Sequence, residues 1–309
     1  MTTSVELGMY LPSARTGAAT LERARIAEEI GCHTVWCPDL IDPGVIECMT
    51  LASAVAATTE RIGIGLGVVN LMLRSPQLLL RSLASLDQLS DGRLQIGLGL
   101  GVDFCFAEYG LEAPPYRQRV RQLEETLRAM RPHFEGGPVS FGGEFICLED
   151  ADTRPLPVQQ PCPPVLIGGG STAMLRLAAS YADRWDVGSW RAFRRHDQEP
   201  KLEVIKRKRE ELDEICHQIG RDPADIKTLA DFWFTMAAEP AEARRAADKA
   251  SSWSTLYELH GGTPEDILRV LSSYAEAGVD HIILSFLNFN RGDTPRLFKS
   301  QVMPALLAT

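Results

Sequence analysis

Three glycines and a serine, Gly168-Gly169-Gly170-Ser171, separate the apolar run Val165-Leu166-Ile167 from a helix-forming stretch that begins at Thr172. Residues without a Cβ let backbone N–H groups approach an anion closely, and a helix start adds unpaired donors and the positive end of its dipole. The chemistry on offer is phosphate binding, with Ser171 as the N-cap; a tight strand-to-helix turn is the plainer alternative. Glycines also crowd two other segments that follow short apolar runs, Gly65-Leu66-Gly67-Val68-Val69-Asn70 and Gly97-Leu98-Gly99-Leu100-Gly101. Small residues at neighbouring strand ends leave room for a broad planar group. The six histidines show no metal-ligand spacing, so no metal site is expected.

These segments need a frame that brings them to one place. Short apolar runs predict strands at Val5–Met9, Thr34–Cys37, Ile62–Leu66, Leu94–Leu98, Val165–Gly168, Trp185–Gly188, Lys227–Met236 and Asp280–Phe286. Between them, apolar residues at three-and-four spacing predict helices at Leu21–Ile30, Glu47–Thr58, Pro76–Leu89, Arg117–Met130, Thr172–Tyr181, Leu202–Ile219, Ala241–Ala250 and Pro264–Ala277. Runs such as Ile282-Ile283-Leu284 lack polar alternation, as parallel strands covered on both faces do. The expected fold is a (β/α)₈ TIM barrel, with the active site at the carboxyl ends of the strands. A doubly wound open sheet would put its glycine-rich loop after the first strand, where this chain has Gly8-Met9-Tyr10-Leu11-Pro12. The alternation lapses over residues 131–164, where Val139–Cys147 reads as a β-hairpin around Gly142-Gly143, followed by proline-rich chain. That stretch is expected to be an insertion between strands 4 and 5 of one domain spanning residues 1–309.

A net charge of −9 over 309 residues argues against general affinity for nucleic acid or anionic lipid. No apolar run reaches the length of a membrane span, and the N-terminus lacks a signal-peptide pattern, so the expected location is cytoplasmic. The seven cysteines form no C-x-x-C pair and are expected to be reduced; Cys37 and Cys105 stand near strand ends.

The segment Gly65-Leu66-Gly67-Val68-Val69-Asn70-Leu71-Met72-Leu73-Arg74-Ser75-Pro76 and the helix end Leu86-Asp87-Gln88-Leu89-Ser90-Asp91-Gly92-Arg93 resemble the luciferase-like monooxygenase superfamily, as does Pro155-Leu156-Pro157-Val158-Gln159-Gln160-Pro161 leading into the glycine triplet. Its short members that use the deazaflavin coenzyme F420 are the most similar, and the likeness extends over nearly the whole chain. The resemblance implies a flavin or deazaflavin across the carboxyl end of the barrel, its phosphate at Gly168, Gly169, Gly170 and Ser171, with Gly188 and Ser189 as further candidates. It also implies a bulge at Gly67, Val68 and Val69 behind the central ring, with a non-prolyl cis bond at Gly67-Val68. Asp39 stands where many deazaflavin-dependent relatives carry an acidic residue, which makes it the candidate catalytic group; the histidine that usually follows is Leu40 here. Glu108 lies near, but not at, the position of a catalytic glutamate in the sugar-phosphate dehydrogenases of this group. Arg191, Arg194 and Arg195 are candidates to meet an anionic cofactor tail.

The expected function is hydride transfer between F420 and a small-molecule substrate in a homodimeric enzyme. An FMN-dependent monooxygenase is the alternative, and a non-catalytic cofactor-binding or interaction barrel is the second.

Overall fold

A computed structural model describes residues 5–11, 16–41, 44–101, 106–188, 199–251, 258–289 and 293–308. Its strands are β1 (Glu6–Tyr10), β2 (Thr34–Cys37), β3 (Gly63–Leu66), β4 (Val69–Asn70), β5 (Leu94–Gly99), β6 (Pro138–Gly142), β7 (Cys147–Asp152), β8 (Val165–Gly168), β9 (Arg184–Asp186), β10 (Lys227–Met236), β11 (Leu259–Gly262) and β12 (His281–Phe286). The helices are α1 (Gly17–Ile30), α2 (Cys48–Thr58), α3 (Pro76–Leu89), α4 (Tyr116–Glu135), α5 (Thr172–Tyr181), α6 (Lys201–Ile219), α7 (Pro240–Ser251), α8 (Pro264–Glu276), α9 (Asp293–Gln301) and α10 (Met303–Leu306).

Strands β1, β2, β3, β5, β8, β9, β10 and β12 pair in parallel in that order, and β12 returns to β1. The ring is an eight-stranded TIM barrel, as the alternation of apolar runs and amphipathic stretches predicts. Two short strands are additions to that expectation: β4 pairs with β5, and β11 pairs with β10. Between β5 and β8, the antiparallel pair β6 and β7 forms the expected hairpin. The buried carboxylate of Glu125 on α4 tethers its turn, accepting the N–H groups of Glu144, Phe145 and Ile146 at 2.9, 2.8 and 2.6 Å. Helix α4 continues through Pro132 to Glu135, beyond the predicted end at Met130.

The motifs that carried the family resemblance have structural work in the barrel wall. Arg93 donates to the carbonyls of Ala56, Thr59 and Ile62 at 2.9, 3.2 and 3.0 Å, closing the carboxyl end of α2 against the foot of β3. Asp87 accepts the backbone N–H of Gln159 at 2.9 Å and its side-chain amide at 2.7 Å. Thus the segment ending α3 and the proline-rich segment before β8 are held to each other.

Inward side chains fill the barrel in layers. At the amino end of the strands, Glu6, Arg184 and His281 form an ionic layer, with Arg184 at 2.9 Å and His281 at 3.3 Å from the Glu6 carboxylate. The hydrogen bond from His281 holds Glu6 well below the usual carboxylate range, aided by Arg184 and Lys227 against the cost of burial. Above it, Trp36 packs with Leu166, Leu229 and Ile283. Its indole N–H donates to Thr34 Oγ1 at 2.9 Å, and that hydroxyl shares a 2.9 Å hydrogen bond with His281 Nε2.

Candidate functional site

Much of the glycine crowding at the carboxyl end makes room for the protein itself. A Cβ on Gly65 would stand 2.4 Å from the Trp36 ring, so the indole can lie across the barrel only because β3 has no side chain there. Val68 is seated in the same way: a Cβ on Gly99 would meet its Cγ2 at 2.5 Å, and on Gly97 or Gly168 its Cγ1 at 3.3 Å. The expectation that these glycines jointly clear space for a planar ligand is therefore corrected in part. Trp36 becomes a floor, and Val68 becomes a knob on one wall.

Above that floor lies a cleft of about 690 Å³. Gly67, Val68, Gly168, Gly169, Gly170, Ser171, Gly188 and Asp39 all line it. The Gly67-Val68 bond is cis. Val69 does not reach the cleft, because its side chain is buried in β4, which pairs with β5. Ser189, Arg191, Arg194, Arg195 and Cys105 lie outside the described residues. Cys37 is buried in the core, and burial pushes its thiol up to about 12, which leaves no thiolate for chemistry. Glu108 is exposed on a short 3₁₀ turn, Ala107–Tyr109, and is not among the lining residues.

At the cradle end, Ser171 caps α5 by accepting the Met174 N–H at 3.3 Å, and it shares a 2.6 Å hydrogen bond with the Tyr116 hydroxyl. Gly169 has φ +133°, and a Cβ there would press on Met174 at 3.0 Å. Arg119 and Lys208 bring positive charge to this end, and Lys208 is paired with Glu211 at 2.6 Å.

Asp39 is buried and committed to neighbours. Arg74 grips it with two donors, one of them at 2.8 Å, and the Asn70 N–H donates to it at 2.7 Å. Glu47 takes the far side of the same guanidinium. Both oxygens are thus engaged, which fixes this candidate catalytic carboxylate among the residues lining the cleft.

Beside the cradle, where Gly168 pairs with Asp186, begins a wall that sequence reasoning did not single out. Tyr10, Trp233 and Ile283 line it with two carboxylates, Asp186 and Asp231. The Trp233 indole N–H donates to Asp231 at 2.5 Å, and its ring lies 5.5 Å from that of Tyr10. Lys201 on α6 is ion-paired with Asp231 and also donates to its carbonyl at 3.1 Å. Burial pushes Asp186 up to about 6; Lys201 pulls it down, Asp231 pushes it further up, and the Gly188 N–H steadies the charged form. Among the described residues, its Oδ1 has no hydrogen-bond partner. A charged residue at an inward position of an apolar strand was the available signal.

The sequence profile of the luciferase-like monooxygenases matches residues 1–281. The chain belongs to that family. Among these luciferase-like proteins, it is similar to an F420-dependent glucose-6-phosphate dehydrogenase from Kineococcus radiotolerans, at 25% identity over 91% of this chain and 90% of that one. In structure it resembles the coenzyme F420-dependent tetrahydromethanopterin reductase from Methanopyrus kandleri, with TM-score 0.81 and 18% identity over 98% and 99% of the two chains. A monooxygenase from Streptomyces bottropensis superposes with TM-score 0.78 and 20% identity, covering 97% of this chain and 99% of the other. Among the described residues, no cluster of His, Cys, Asp or Glu could hold a metal ion, and no helix is long and apolar enough to cross a membrane.

Proposed function

We propose that this protein moves a hydride between coenzyme F420 and a small organic substrate. The observation that carries the reading is the joint placement, in one cleft, of a glycine-serine turn suited to phosphate and the Val68 bulge, in a chain similar over nine-tenths of its length to an F420-dependent dehydrogenase. The absence of side chains over Gly168-Gly169-Gly170 leaves the start of α5 open to close approach, and the fit of a phosphate to backbone donors there supports the assignment. Gly168, Gly169, Gly170 and Ser171 would hold the phosphate, Tyr116 would position Ser171, and Gly67 and Val68 would back the ring. When bound, the deazaflavin supplies the hydride chemistry; the protein supplies orientation and electrostatics.

The test is a titration of the purified protein with F420 and, separately, with FMN, following quenching of Trp36 and Trp233 beside the cleft. F420 is expected to bind at least about tenfold tighter than FMN. Tighter FMN binding would replace this reading with a flavin monooxygenase, and binding of neither would point to a barrel without redox function.

A further inference from the structure

The wall formed by β9, β10, β12 and β1 carries Asp186 and Asp231 among aromatic rings, and it begins beside the cradle, where Gly168 pairs with Asp186. In the register of the sheet, Asp186 is opposite Leu229, so the two carboxylates lie on neighbouring strands one inward step apart. Among the described residues that contact either group, Lys201 is the cation against them, so these three side chains together carry two carboxylates and one ammonium. Asp186 keeps a buried oxygen without a hydrogen-bond partner among the described residues. Asp231 also fixes the Trp233 indole through its N–H, holding that ring against Tyr10. Aromatic faces beside desolvated carboxylates favour an organic cation over a neutral or anionic group, because ring quadrupoles and carboxylates both attract positive charge.

We propose that this wall binds the charged part of the substrate, and that this part is a compact organic cation, a protonated amine or a quaternary ammonium group. The assignment rests on the reading of the cleft as a hydride-transfer site.

Isothermal titration calorimetry with benzyltrimethylammonium, benzyl alcohol and benzoate, on the protein with and without F420, tests the proposal. The ammonium probe is expected to bind at least about tenfold tighter than the alcohol, and benzoate weakest. Asp231→Asn and Asp186→Asn should each reduce that preference by about fivefold or more while circular dichroism reports an intact fold. If Asp231→Asn unfolds because Lys201 loses its partner, Asp186→Asn carries the test alone. Equal affinity for the alcohol, or a preference untouched in the folded variants, would overturn the proposal. Failure of F420 to bind the wild type would instead refute the cofactor reading, because the probe series is read without cofactor as well.

Discussion

The Arg74 guanidinium reaches back 35 residues to grip the Asp39 carboxylate with two donors, at a cleft that Asp39, Gly67 and Val68 all line. Removing one partner from a buried pair leaves the other uncompensated, which costs more than the pair contributes. Arg74→Met should lower stability by about 3–5 kcal/mol in urea unfolding, and the Asp39→Asn/Arg74→Met double variant should recover part of that loss. Additive losses would show that the pair is not coupled.

Phosphate binding at the cradle is best probed at Gly170. Gly169→Asp would mix charge with backbone strain, because φ there is +133° and Met174 is in the way. At Gly170 the nearest atom to a new Cβ is Val187 Cγ2 at 3.3 Å, so the backbone can accept a side chain with a small adjustment. Gly170→Asp should weaken F420 binding by about a hundredfold while the melting temperature changes little. An unchanged affinity would remove the phosphate from this position.

Close backbone approach is the issue at Gly97, where a Cβ would fall 1.9 Å from the Leu66 carbonyl oxygen. Gly97→Ala should cost more than about 3 kcal/mol, since β3 and β5 would have to separate. Gly142→Ala in the hairpin meets nothing within 4 Å and should stay within about 0.5 kcal/mol. Comparable losses at both sites in the same denaturation assay would contradict the packing described.

Asp186 should be visible as a late-titrating carboxyl. Carbon-13 NMR of the aspartate carboxyls is expected to show one group with a midpoint of about 6, absent in Asp186→Asn. Asp231→Asn removes a neighbouring negative charge and should lower that midpoint; Lys201→Met removes a positive one and should raise it. A folded pKa above the unfolded value of 3.8 means that the native state holds the proton more tightly, so wild type should gain stability relative to Asp186→Asn as pH falls from about 6 toward 3.8. An ordinary midpoint would sink the argument.

Glu6 has the opposite sign. Its folded pKa lies below the unfolded value of 4.5, so its stabilisation is complete above that value and is lost as pH falls below it. Glu6→Gln should destabilise the protein at pH 7 by about 2–4 kcal/mol, and the gap to wild type should narrow below about pH 4.5. A gap that stayed constant down to pH 3 would deny the ionic layer its role.

The barrel was legible because its strands, buried on both faces, read as apolar runs and its helices as amphipathic ones. The cradle was legible because its chemistry is local, within Gly168–Ser171. What local reading missed is assembled across distance. Arg74 meets Asp39 through a turn no spacing rule encodes, and Asp186, Lys201 and Asp231 come from three elements. β11 escaped notice because Leu259-His260-Gly261-Gly262 has no apolar run; its glycines let it approach α7 and α8, where side chains would strike Ala247 and Asp266. The glycine-rich strand ends were read as space for a ligand, yet Trp36 and Val68 claim much of it.

Trp36 has a consequence for how the two ends of the barrel communicate. Its ring is a stopper between the cleft and the ionic layer, and its height is fixed from below, through Thr34, by the imidazole of His281. The depth available to a guest is thus adjusted from the far end of the barrel. A substitution at His281, whose ring meets that of Trp36 edge-on at 6.1 Å, would retune the cleft like a piston moved from beneath.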